Sequence, residues 1–199
     1  MDLEEFKIKK EITISATKAH LVGLIFLVPL FFLLAIPYYL IWPEQFTRNQ
    51  IIGYIQAKEA WTFYDYGIII LVILFGVVAH ELLHGLAWSY FTRRGWKSIK
   101  FGVMWEMITP YCHCEEPLKM KPYRFGTWLP AIVLGIIPSG IALVTGYLPL
   151  MLFGFFFTFA AGGDFIMLWL LRKEPGDSII ADHPDKIGCI IYDTKKPTT

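Results

Sequence analysis

The stretch YGIIILVILFGVVAHELLHGLAWSYF, residues 66–91, decides how this chain must be read. About 20 apolar residues in a helix cross roughly 30 Å of hydrocarbon at 1.5 Å per residue. This run meets that length, and its only ionisable side chains are His80, Glu81 and His84. A charged side chain near mid-membrane costs roughly 2.5–3.5 kcal/mol on insertion scales, so such residues face a protein interior or a cavity. Glu81 therefore needs a partner inside the protein.

Three other stretches have the same character, giving crossings at about 21–42, 66–91, 128–148 and 150–171. Pro29 and Pro37 kink the first without disqualifying it. That first stretch exceeds a 7–15-residue signal core and has no small-residue cleavage site after it, so it reads as an anchor, with His20 at its interface. Across all four the only acids are Glu81 and Asp164. The expected fold is mainly α: a polytopic membrane protein of four transmembrane helices, with a short cytoplasmic β-like segment between helices 2 and 3. Residues 1–171 form the membrane domain and 172–199 a short tail.

Composition agrees. Of 199 residues 55% are hydrophobic and 18% charged, for a net charge of +1. That balance argues against a nucleic-acid partner and against disorder, and makes lipid the surrounding medium. Positive charge is retained on the cytoplasmic side of a bilayer. Four Lys and Arg precede the first crossing, seven lie in 92–127 and five follow Leu171, against Arg48 and Lys58 alone on the other face. Both termini are thus expected in the cytoplasm, in the inner cell membrane. Cys112, Cys114 and Cys189 then face a reducing compartment, where disulfides are not expected.

Outside the crossings, 43–65 is an external connection with interfacial aromatics (Trp61, Phe63, Tyr64, Tyr66). Apolar residues at every second position from Ile99 to Trp105 predict a strand, which Pro110 separates from a second extended piece around 111–115. Ile187 to Tyr192 is a short apolar run, either a strand or an ordered extension.

His80-Glu81-Leu82-Leu83-His84 has the His-Glu-x-x-His spacing of zinc metallopeptidases. Residues four apart share a helix face, so two imidazoles reach one tetrahedral cation, and Glu81 stands where a carboxylate can take a proton from an activated water. The plainer alternative is a polar packing cluster bonded to neighbouring helices. A catalytic zinc site usually has three protein ligands. Asp164 is the candidate, because His84 and Asp164 each lie seven residues before the end of their crossing, about 10 Å inside it. Gly162 and Gly163 are expected to let the fourth helix approach its neighbour there. Cys112-His113-Cys114 offers competing donors, and His113 could instead fold over the site and contact an oxyanion or substrate. Asp182-His183-Pro184-Asp185 reads as a turn.

On these residues, with Tyr111-Cys112-His113, Ala161-Gly162-Gly163-Asp164 and Asp182-His183-Pro184, the chain resembles the bacterial membrane family of zincin peptidases called domain of unknown function 3267. More distantly it is similar to the site-2 protease type of intramembrane metalloproteases. There the His-Glu-x-x-His helix is followed by a β-like segment and by a later helix with an Asp ligand. Those proteases commonly carry Asp-Gly, whereas Asp164 is followed by Phe165. The resemblance implies a zinc-dependent metalloendopeptidase, with one Zn2+ per chain on His80, His84 and Asp164, Glu81 as general base, and a peptide or membrane-protein substrate. A non-hydrolytic metal-binding membrane scaffold or regulator is the alternative reading. A cation transporter is less favoured, because two of the four crossings carry no ionisable group to line a pore.

Overall fold

The computed structural model describes residues 7–59, 61–105, 109–184 and 186–193; the side chain of His20, residues 106–108, Asp185 and the end of the tail lie outside them. The chain is mainly helical. Three helices, Leu21–Ile41, Phe63–Ser89 and Met120–Thr145, are long and apolar enough to cross a membrane, and mark it as a membrane protein. The pair Leu148–Ala160 and Gly162–Leu171, bent by 46°, would make a fourth span if it acts as one.

Two of these rods loosen locally for the same reason. Helix α1 (Ala16–Leu30) widens into a π turn over Phe31–Ala35 before α2 (Ile36–Ile41), and α5 (Met120–Pro130) does so over Ala131–Ile136 before α6 (Ile137–Thr145). Pro37 and Pro138 follow directly. Proline has no N–H for the carbonyl four residues back and its ring crowds that turn, so the coil loosens and the helix continues.

Helix α3 (Arg48–Glu59) occupies much of the connection between the first two rods. Helix α4 (Phe63–Ser89) starts three residues before the apolar run, because Thr62 and Asp65 form a capping box. Its 27 residues extend about 40 Å. Ile68, Leu71, Phe75 and Leu82 point outward unburied, which in a bilayer is contact with lipid rather than water. The third rod begins at Met120 rather than 128, since Lys121 and Arg124 hide its first turns from a hydropathy reading. Arg124 donates from Nη2 to the carbonyls of Leu171 and Glu174, where α8 (Gly162–Leu171) runs out of amide donors of its own.

Small residues let the helices meet. A Cβ on Gly135 would stand 2.3 Å from Thr158 Oγ1, and one on Gly154, in α7 (Leu148–Ala160), 2.3 Å from Ser139 Oγ. Gly76 and Gly126 are filled in the same way by Phe157 and Trp88. The expected close approach at Gly162 and Gly163 is not found. A Cβ on Gly163 meets nothing within 4 Å, and one on Gly162 only the Gly23 Cα at 4.0 Å. These glycines stand instead where α7 turns into α8, at the bend that delivers Asp164.

Strands β2 (Ile99–Met104) and β3 (Thr109–Cys114) form an antiparallel hairpin against α4. Pro110 lies inside β3 opposite Val103 rather than between two pieces, as a two-stranded ribbon with an outer edge tolerates a missing donor. A second, four-stranded antiparallel sheet has the order β1-β6-β5-β4, from Ile8–Thr13, Gly188–Tyr192, Ile179–Asp182 and Leu118–Lys119. It joins both ends of the described chain to the connection before α5. Ile12, Leu118, Ile180, Cys189 and Ile191 pack with Trp88, Met120 and Leu171 into one buried cluster, which seats the sheet on the inner ends of α4, α5 and α8. Gly188 is needed here: its φ is +151°, and a Cβ would stand 2.0 Å from the Ile12 carbonyl oxygen.

Candidate metal centre

His80 and His84 lie one turn apart on α4, both buried, with ring centroids 5.0 Å apart. Asp164 is in the first turn of α8. Its Oδ2 is 3.1 Å from His80 Nε2 and its Oδ1 3.3 Å from His84 Nε2. Ligand atoms of all three lie within 4.8 Å of one another, and the group could hold a metal ion. Two zinc ligands at about 2.05 Å and a tetrahedral angle stand about 3.3 Å apart. The two His–Asp distances, each to a different carboxylate oxygen, are on that scale, and two imidazoles with a carboxylate are a donor set zinc accepts.

The wall behind His84 sets its orientation. Nδ1–H donates to the Gly126 carbonyl at 2.9 Å; since a carbonyl only accepts, Nδ1 carries the hydrogen and Nε2 is turned to Asp164. The ring stacks on Trp88 at 5.1 Å, and Trp88 stacks on Tyr123 at 5.3 Å while its Nε1–H donates to the Tyr123 carbonyl at 3.1 Å. Gly126 is where α5 comes close enough for this: a Cβ there would stand 2.1 Å from Trp88 Nε1.

Glu81, half-buried, lines the same cavity as the three ligand residues, and the Cys112 backbone lies against its carboxylate. The cavity encloses about 960 Å3. Its walls come from α4, α8, the hairpin and the terminal sheet, with His113, Asp182 and His183 among the lining side chains. Cys112 and Cys114 gather no further ligands, and among the described residues His80, His84 and Asp164 are the one converging group.

Sequence reading missed Asp182. It ends β5 rather than sitting in a free turn. Its Oδ1 accepts the Tyr123 hydroxyl at 2.9 Å; Oδ2 accepts the Cys114 N–H at 2.9 Å and lies 3.7 Å from His113 Nδ1. Burial pushes its carboxyl above the usual range, opposed by the Cys114 amide, the His113 ring and the Tyr123 hydroxyl. Burial likewise raises the Cys112 and Cys114 thiols, Cys114 to about 12, so neither is a ready thiolate. His183 stays in the β5–β6 turn, its Nε2 3.1 Å from Glu11 Oε1. No local signal marked Asp182, because its partners lie 59 and 68 residues away.

Helices long and apolar enough to cross a membrane, with two histidines and a carboxylate converging on one cavity, define the class: a membrane protein with a candidate metal site. A family model described as "Putative zincin peptidase", domain of unknown function 3267, matches residues 73–179, more than half of the chain, and the chain belongs to that family. No curated protein and no solved structure matches it.

Proposed function

We propose that the protein is a membrane-embedded zinc metallopeptidase, with one zinc per chain held by His80, His84 and Asp164. The observation that carries this reading is the meeting of those side chains from α4 and α8 beside Glu81 on a cavity large enough for a peptide. Zinc there supplies Lewis acidity toward a water and a scissile carbonyl. Glu81, the middle acid of the His-Glu-x-x-His spacing, takes the proton of the attacking water and passes it to the leaving amine. His113, on the facing strand, donates to the carbonyl oxygen as it gains charge, or contacts the substrate beside it.

The substrate is a peptide or a membrane-protein segment. A helix buries its carbonyls in its own hydrogen bonds, so the segment is unwound before cleavage and held extended by pairing with the hairpin. The order His80, Glu81, His84, hairpin, Asp164 supports a distant kinship with site-2 protease type enzymes. With the bent pair as a fourth crossing, both termini lie in the cytoplasm and water enters from that side, as the Lys and Arg distribution requires. Reporter fusions at each terminus test the orientation.

The enzymatic reading is tested by metal analysis and proteolysis. Purified chain should hold close to one zinc, Glu81→Gln should keep the zinc and lose hydrolysis, and Asp164→Ala should lose the metal. A chain without zinc, or Glu81→Gln with undiminished hydrolysis, refutes it. Zinc retained with equal cellular function in Glu81→Gln would instead favour the metal-binding scaffold or regulator.

A further inference from the structure

Asp182 holds no metal ligand, yet it stands on the cavity those ligands share. Its carboxylate gathers three neighbours from two other elements: the Tyr123 hydroxyl of α5, and the Cys114 N–H and His113 ring of β3. The first two fix the carboxylate, each at 2.9 Å, so it does not simply follow the imidazole. The third lies on the cavity itself: His113, its side chain 28% exposed against 11% for Asp182, is among the lining residues, and with Nδ1 toward Asp182 its second ring nitrogen is the one left for a substrate.

A histidine on a ribbon of only two strands needs such an anchor. The Cys114 bond ties the end of β3 to the terminal sheet, and Tyr123 ties the same carboxylate to the Trp88 and His84 stack behind the metal site. The hairpin and the ligand wall are thereby held to one side chain. Asp182 lies three residues beyond the region matched by the family model.

We propose that Asp182 is a positioning residue of the peptidase: its fixed carboxylate, 3.7 Å from His113 Nδ1, acts as an ion-pair partner that turns the ring so that Nε2 faces the substrate carbonyl oxygen as negative charge develops on it. The assignment rests on the peptidase reading and adds a role for the terminal sheet: it completes the site as well as covering it. Asp182 gives up no proton in this role. It orients the donor toward the charge that develops in the transition state.

The test uses the zinc-loaded full chain in detergent, with fluorescein-labelled casein as substrate and an N-phosphoryl dipeptide as a tetrahedral oxyanion mimic. Asp182→Asn and His113→Ala should each lower kcat about 100-fold, the scale of a lost oxyanion donor, with KM changed no more than about twofold. Zinc content and melting temperature should stay near wild type, and affinity for the phosphoryl dipeptide should fall with kcat. Adding Asp182→Asn to His113→Ala should cost nothing further in kcat, because the two act as one unit. A purely structural Asp182 would keep its effect in the His113→Ala background, so factors that multiply overturn the proposal. Wild-type kcat in either single variant also overturns it, and should Asp182→Asn not fold, Asp182→Glu, which keeps the charge and displaces the carboxylate by one methylene, takes its place with the same loss of kcat expected and wild-type kcat overturning the proposal. Failure of the underlying reading looks different: zinc-loaded wild type cleaves no casein, or Glu81→Gln cleaves it at the wild-type rate.

Discussion

Replacing Gly126 with alanine should damage the metal site without touching a ligand. A Cβ at that position would stand 2.1 Å from Trp88 Nε1 and 2.3 Å from Trp88 Cδ1, where ordinary contact begins near 3.4 Å. More than an ångström must be found. Trp88 cannot supply it alone, since its ring lies between those of His84 and Tyr123. If α5 moves instead, the 2.9 Å bond from His84 Nδ1–H to the Gly126 carbonyl opens past hydrogen-bonding range. Either route disturbs His84. Overpacking of this kind costs about 1–3 kcal/mol, and loss of a partner that orients a histidine ligand typically lowers metal affinity about 10–100-fold. Gly140→Ala is the control: it lies in helix α6 with nothing within 4 Å of an added Cβ, and should be neutral or stabilising by up to about 1 kcal/mol. Chelator competition for zinc and thermal melting in detergent read both terms. Wild-type zinc affinity and melting temperature in Gly126→Ala, or equal harm from Gly140→Ala, would rule out this role for the glycine.

Other outcomes follow from the same structure. Gly188→Ala should free β1 from β6, because its Cβ would overlap the Ile12 carbonyl, and hydrogen exchange should then rise across residues 8–13 while α4 stays protected. The Glu116 carboxyl is held down to about 2 by the Ser98 hydroxyl and by the Arg93 and Arg94 amides, with burial opposing. A depressed carboxylate stabilises the fold above its unfolded value near 4.5, and that contribution is lost as pH falls through about 2. Glu116→Gln should therefore melt lower at neutral pH and show a weaker dependence of melting temperature on pH across that window than the wild type. Asp164→Asn should reduce zinc content sharply at pH 7, while Cys114→Ser should leave it unchanged, since that thiol is buried away from the ligand group.

Features that depend on near neighbours were legible in the residues alone. Apolar runs located the three long helices, and alternation located the first strand of the hairpin, because hydropathy and residue period are local properties. The spacing of His80 and His84 put both on one helix face for the same reason. Asp164 was reachable by counting, since equal distances from the ends of two crossings give equal depth at a fixed rise per residue. The third rod's early start was not legible, because Lys121 and Arg124 find partners only once α8 is in place.

Tertiary structure decided the rest. Gly126 looks like any helical glycine until Trp88 fills the space beside it, and Asp182 looks like a turn residue until β5 pairs with β6 and β4. The terminal sheet joins residues 8–13 to 188–192, a pairing set by cross-strand contacts rather than by either segment's own pattern. Local sequence placed the candidate ligands; the walls that orient them were chosen by packing between segments far apart in the chain.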